Sequence, residues 1–208
     1  MKTLGNIIAT TLLLLSVGCT DLDEKTYDII PQEGFYKTRE NVIQGFLRPF
    51  GHAYWLNTQG LYWMGELSAD HYMTVQREEH WYNGGEFCRY HYHTWTIDDG
   101  FVRWTWDDTY RGIGLCNSSI SDLSHIDGEK LGVSKHEIDD FIAQSRVLRA
   151  WMYMTIFDLY HNIPIVTDYP VSELPSQATP KETFTFLETE LLESLPKLNA
   201  KEGANGNG

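Results

Sequence analysis

Residues 134–164 read SKHEIDDFIAQSRVLRAWMYMTIFDLYHNIP, and the fold follows from this stretch. Ser134 and Glu137 form the Ser-x-x-Glu pattern, in which hydroxyl and carboxylate each satisfy a backbone N–H left open at a helix start. Ile138, Phe141, Ile142, Ser145, Leu148, Met152 and Phe157 then recur at helical spacing as far as Tyr160. Val147, Ala150 and Met154 make the opposite face apolar as well, so this helix is expected to be buried on several sides. Asn162 and Pro164 cannot continue the pattern and end it.

Outward from it, the chain reads as further helices joined by irregular loops. Downstream, a proline-punctuated extended segment over residues 163–178 leads to TPKETFTFLETELLESL. There Thr179 caps, Pro180 takes the first helical position and Glu182 completes a second capping box. Phe184, Leu187, Leu191 and Leu195 form the expected stripe. Upstream, residues 104–123 carry Trp106, Tyr110, Ile113, Asn117 and Ile120 at helical spacing. Gly112 and Gly114 each cost that helix about 1 kcal/mol relative to Ala, so close packing on a neighbour is expected at both. A first helix begins at Thr38, with Val42, Ile43, Phe46, Leu47, Phe50 and Tyr54 on one face and Pro49 interrupting it. Residues 55–103 show little periodicity. So long a segment without regular structure is a functional candidate.

The whole chain bounds these readings. Its 208 residues can bury one sizeable core. With 29 Asp and Glu against 16 Lys and Arg, it has no basic stripe for a phosphate backbone, which argues against nucleic acid as a partner. Residues 1–18 read as a signal peptide: Lys2, an apolar run peaking at residues 12–15, then small residues before Cys19. A cysteine at that cut is the expected site of lipidation, although Ser16 stands where the strict pattern has Leu. Membrane attachment is then through the lipid alone. Residues 19–34 read as a flexible tether, and residues 35–208 as the folded region. Loss of Lys2 with the leader takes the formal charge from −13 to −14. Cys88 and Cys116 remain. A disulfide is permitted outside the cytoplasm, but nothing in the sequence sets their distance, and two independent buried thiols is the plainer reading. The Gly- and Asn-rich end, KLNAKEGANGNG, leaves the last helix without a following partner, so an incomplete helical array is expected.

Several segments together resemble the SusD/RagB family, the surface glycan-binding lipoproteins of Bacteroidetes. They are CTDLDEK after the leader, ELSAD at residues 66–70, WYNGG…HYHTWT at residues 81–96, and the W-x5-Y-x-x-I-x-x-x-N helix through Trp104, Tyr110, Ile113 and Asn117. Residues 145–168 and 179–195 complete the set. His161 departs from the glycine common in the family. The resemblance implies a mostly α fold of tetratricopeptide-like helix pairs with long irregular loops, here the N-terminal portion only and incomplete at the C-terminus. It implies an outer-membrane, cell-surface location. It also implies a SusC-like TonB-dependent transporter as partner, over which such a protein closes as a lid, and no enzymatic activity or cofactor.

Six of the seven tryptophans fall between Trp55 and Trp106. Sugars offer an apolar C–H face to flat rings and hydroxyls to polar groups at the rim, and Trp and Tyr supply rigid area at low entropic cost. Trp81, Tyr82 and Asn83, beside Gly84-Gly85 in a turn, are the candidate glycan platform. Asp70, Tyr72 and Arg77 are the candidate neighbours, and Trp95, Trp104 and Trp106 are assigned to the core. His91 and His93, with His71 and His80, have ligating chemistry but no accompanying metal motif, so hydrogen-bonded structural histidines are expected and no metal. A glycosidase needs two carboxylates facing across a set gap. Asp98-Asp99 and Asp107-Asp108 diverge along the backbone, and Glu66 and Asp70 share a face only if that stretch is helical. No catalytic residue is assigned. Capture of oligo- or polysaccharide for uptake is the favoured function. A helical scaffold without its own ligand is second, and a glycoside hydrolase third.

Overall fold

A computed structural model of the chain describes residues 34–71, 73–173 and 175–199. The chain divides into a unit Met1–Phe35 and a unit Tyr36–Gly208. Of the first, only Gly34 and Phe35 are described, so the leader, Cys19 and nearly all of the tether lie outside the described residues.

The second unit is helical. Among the described residues it contains α1 (Arg39–Leu56), α2 (Tyr62–Ser68), α3 (Glu86–His91), α4 (Gly100–His125), α5 (Lys135–Tyr160) and α6 (Pro180–Ser194). Two isolated bridges, Arg77 with His80 and Pro164 with Gln177, are the β-structure among them. None of these helices is long and apolar enough to cross a membrane. The three predicted caps are present: Thr38 accepts from Asn41 N, and Ser134 and Thr179 both close complete capping boxes.

The four long helices run alternately up and down. Tyr36, just before α1, donates to Asp122 late in α4, and His52 late in α1 meets the Asp108 carbonyl early in α4. Tyr160 at the end of α5 reaches Val102 at the start of α4. Glu190 of α6 pairs with Arg146 and Arg149 of α5. Two apolar clusters fill the seams. Val42, Phe46, Leu123, Val133 and Ile138 close one end, with Phe46 stacked on Phe141 at 4.3 Å between ring centroids. Ala53, Ile113, Cys116, Met152, Tyr153, Ile156 and Ile163 form the other. This is the mostly helical, helix-pair arrangement that the resemblance implies.

Gly112 explains how α4 sits between two neighbours. A Cβ there would stand 2.8 Å from the Met152 sulfur of α5 and 2.9 Å from the His52 ring of α1. Gly114 corrects the expectation, because a Cβ there would meet nothing within 4 Å. Three further readings change. Residues 55–103 are not mainly irregular: α1 passes through a π-turn, Asn57–Leu61, directly into α2, and α4 begins at Gly100 rather than Trp104. Gly60 allows this, since its bare backbone lies on Trp104 and Thr105. Met154 is exposed although its neighbours Met152 and Tyr153 are fully buried, because α5 packs on three sides and Met154 faces the fourth. In α6 the predicted stripe is largely on the outside, with Phe184, Leu191 and Leu195 exposed. The helix is instead fastened by Phe186 and Leu187 and by the buried Thr183, Glu190 and Ser194.

A buried polar network ties α4, α5 and α6 together. Arg149, 5% exposed, donates to Glu190 Oε2 from Nε at 3.0 Å and from Nη2 at 2.5 Å, and from Nη1 to Asn117 Oδ1 at 2.7 Å. Arg146 donates to Glu190 Oε1 at 2.7 Å and to Glu193 at 2.7 Å.

Candidate functional site

The segment between α2 and α4 is built on a third apolar cluster. Leu67, Phe87 and Tyr90 are buried, with Trp63, Met64, Phe101 and Val102 packed around them. Trp63 stacks on Phe101 at 6.2 Å with planes 11° apart and lies 5.4 Å from Phe87. Polar groups lock α3 to the start of α4. The buried Glu86 accepts from Phe101 N at 2.7 Å and from the Tyr90 hydroxyl at 3.3 Å. Arg89 donates from Nε to Asp99 at 2.8 Å and from Nη1 to the Gly84 carbonyl at 2.7 Å. The Arg89 guanidinium holds the Asp99 carboxyl below the ordinary carboxylate range, against the opposing effect of burial.

On this base sits a chain that reverses direction several times. Glu78, Trp81, Asn83, Gly84 and Gly85 all have positive φ, the left-handed region that non-glycine residues enter only where the surroundings hold them there. A tight turn pairs Arg77 N with His80 O at 3.0 Å and His80 N with Arg77 O at 2.9 Å. The turn leaves Trp81 57% exposed, its ring 6.4 Å from Phe87. Tyr62, Trp63, Met73, Thr74, Val75, Arg77 and Trp81 line an open cleft of about 430 Å³. It combines rigid aromatic walls with one cation, and among the described residues Arg77 has no ion-pair partner.

Of the predicted site residues, the structure brings Trp81 and Arg77 together in this cleft. Tyr82 is exposed but sits beside Gly85 and Arg89. Asn83 donates its amide to Glu86 at 2.9 Å, which commits that nitrogen to the start of α3. Asp70 stands 3.1 Å from His91 Nδ1, off the line of a hydrogen bond. Tyr72 lies outside the described residues. Tyr62, Trp63 and the 73–75 segment were not singled out by sequence. Their one signal was the crowding of tryptophans, and their place in the cleft depends on α2 being helical. Trp95 corrects the core assignment. It is 43% exposed, stacked on Tyr90 at 5.9 Å, because it lies in the irregular stretch between α3 and α4, where one face of its ring is open to solvent. Trp104 and Trp106 are half-buried, and Trp106 packs on the main core.

The histidines face separate oxygens rather than one centre. His71 lies 2.9 Å from Glu66, and His93 Nε2 lies 2.8 Å from the Ser68 carbonyl. Among the described residues no three His, Cys, Asp or Glu side chains are grouped to hold a metal ion. The acids are likewise occupied in the fold or exposed. Asp99 pairs with Arg89, Asp108 lies 3.4 Å from Arg111, and Asp98 and Asp107 point to solvent. Cys88 and Cys116 are free thiols, and burial pushes the Cys116 thiol up to about 12.

No family model matches the chain. A curated relative, SusD-like protein P2 of Formosa agariphila, is 27% identical over 164 residues, covering 78% of this chain and 30% of the relative. Among solved structures, a laminarin binding SusD-like protein superposes with a TM-score of 0.67 at 20% identity, over 82% of this chain and 37% of the other. A SusD-like protein from Bacteroides fragilis gives 0.65 at 16% identity, over 89% and 34%. A SusD superfamily protein from Parabacteroides distasonis gives 0.55 at 18%, over 73% and 33%. The chain thus has the fold of these proteins and spans about a third of their length.

Proposed function

We propose that this chain, SusD-like in its fold and in the curated relative it matches, is the glycan-binding component of a nutrient-uptake system on the cell surface. In this reading it is anchored through lipid on Cys19, captures oligo- or polysaccharide and passes it to a SusC-type TonB-dependent transporter. The observation that carries the reading is the cleft at Trp81. It sets an exposed indole and the Tyr62–Trp63 wall beside an unpaired Arg77, on a base locked by Glu86 and the Arg89–Asp99 pair. A sugar ring stacks its C–H face on such an indole while the guanidinium donates to its hydroxyls. The rigid base keeps the ordering cost of binding low. Tyr82, Asn83 and Asp70, and Tyr72 outside the described residues, remain proposed contributors. A binding rather than hydrolytic role is supported by the two acid pairs the sequence offers: Asp99 is held by Arg89 and Asp108 is buried, while their neighbours Asp98 and Asp107 face solvent.

The test is calorimetric titration of the protein, as made in its host, with laminarin and a panel of other neutral polysaccharides. Trp81→Ala should weaken binding by roughly tenfold, corresponding to about 1.4 kcal/mol, with unchanged melting. Wild-type affinity in a normally melting Trp81→Ala and Arg77→Ala pair would overturn the assignment of this cleft.

A further inference from the structure

A second cleft lies on different elements, between the middle of α4 and the segment that leaves α5. Its floor is held by the core. Residues 163–166 leave α5 after His161, whose φ of 65° ends the helix. Tyr110 donates to the Pro164 carbonyl at 2.8 Å. Asn117 donates to the Val166 carbonyl at 2.9 Å, and the Tyr153 hydroxyl both donates to that carbonyl at 2.8 Å and accepts from Val166 N at 2.7 Å. Tyr153 and Ile163 are fully buried and Asn117 is 3% exposed. The backbone is therefore tied to α4 and α5 up to residue 166, and residues 167–172 are presented from a fixed base.

Among those residues the side chains of Thr167, Asp168, Tyr169 and Ser172 are polar and uncommitted, beside the apolar Pro170 and Val171. Asn117 and Ser121 of α4 with Thr167, Asp168, Tyr169 and Ser172 line an open cleft of about 460 Å³, to which Ile120 and Pro170 add two apolar patches. The hydroxyls of Ser121, Thr167, Tyr169 and Ser172 and the carboxylate of Asp168 have no hydrogen-bond or ion-pair partner among the described residues. Tyr169 keeps 42% of its surface exposed. The lining holds one carboxylate and no cation, which disfavours an anionic ligand. Four hydroxyls disfavour an apolar one. A carboxylate accepting from two adjacent hydroxyls, an aromatic ring for a C–H face and further hydroxyls at the rim together match a neutral pyranose. Anchoring just before the contact residues is what such a weak, directional site requires.

We propose that this cleft is a second carbohydrate-binding position, separate from the one at Trp81, so that one protein engages one polysaccharide at two places. The proposal rests on the reading of the protein as a glycan receptor. The two-point contact makes the second binding event intramolecular and raises the avidity for long chains above that for short ones.

The test uses hexasaccharides and full-length chains of laminarin, xylan and mannan. These are titrated against wild type, Trp81→Ala, Asp168→Asn, Ser121→Ala and the Trp81→Ala/Asp168→Asn double variant, all checked for unchanged melting. Hydrogen-exchange protection is mapped on the glycan-saturated proteins. The expected result is residual glycan binding by Trp81→Ala, with protection over residues 117–121 and 167–172. Asp168→Asn should weaken that residual binding at least tenfold and remove the preference for long chains. Binding abolished by Trp81→Ala, with residues 167–172 unprotected in wild type, overturns the second position and leaves the first standing. Absence of binding by wild type to every glycan in the panel overturns both.

Discussion

Glu190→Ala should be among the most damaging single substitutions in this fold, and more damaging than Arg149→Met at the other end of the same ion pair. Glu190 is 4% exposed and accepts from both Arg149 and Arg146. Removing it leaves the Arg149 guanidinium buried with only Asn117 as a neutral partner, while Arg146 keeps Glu193 at 2.7 Å. Leaving one charge of a buried pair uncompensated costs about 3–5 kcal/mol. At roughly 2–4 °C per kcal/mol for a region of this size, melting should fall by about 6–20 °C. Arg149→Met leaves Glu190 with Arg146 as counter-charge and fills much of the same volume, so its loss should be clearly smaller. The double variant should be less unstable than the sum of the two, because neither charge is then stranded. Urea denaturation of the four proteins at neutral pH measures all three quantities. A cost below about 1 kcal/mol for Glu190→Ala, or two single losses that simply add, would refute the stranded-charge account of this network.

Two glycines two residues apart in α4 should respond with opposite sign. Gly112→Ala forces a methyl against Met152 and His52 and should lower the melting temperature through overpacking worth about 1–3 kcal/mol, only partly offset by helix propensity, whereas Gly114→Ala meets nothing and should gain up to about 1 kcal/mol. Equal shifts in thermal melting would contradict the packing of α4 between α1 and α5. Acid should loosen the start of α5: Arg39 and then Ser134 hold the Glu137 carboxyl at about 2 against an ordinary 4.5. A depressed folded value stabilises above the ordinary value and loses that contribution as pH falls toward the folded one. The gap in melting temperature between Arg39→Met and wild type should therefore shrink as pH drops from about 5 to about 2.5, and a gap constant over that range counts against the pair. Under native conditions iodoacetamide should label Cys88 and spare Cys116, whose thiol burial keeps protonated; peptide mapping that finds Cys116 labelled first would show that the main core opens there.

The parts of this fold that depend on near neighbours in the chain were legible in its sequence. Thr38, Ser134 and Thr179 announce three helix starts because a cap is completed within three residues. The spacing around Ile113 and Met152 identifies α4 and α5 because the 3.6-residue period is a property of the chain itself. The crowding of tryptophans between Trp55 and Trp106 marks the segment in which Trp81 and Arg77 line one cleft. Contacts between distant residues decided the rest. Residues 57–68 are helical because Gly60 rests on Trp104 and Thr105, far along the chain, so local periodicity carried no trace of it. The helix so formed carries Trp63 into the cleft lining. Phe184, Leu191 and Leu195 form a stripe as plain as any in the chain, yet α6 is fastened by Glu190 and Phe186 from the other side. A charged residue buried by two arginines in another helix looks, in sequence, like any exposed acid. An amphipathic pattern states which residues share a face, and only the positions of the neighbouring helices state which face is covered.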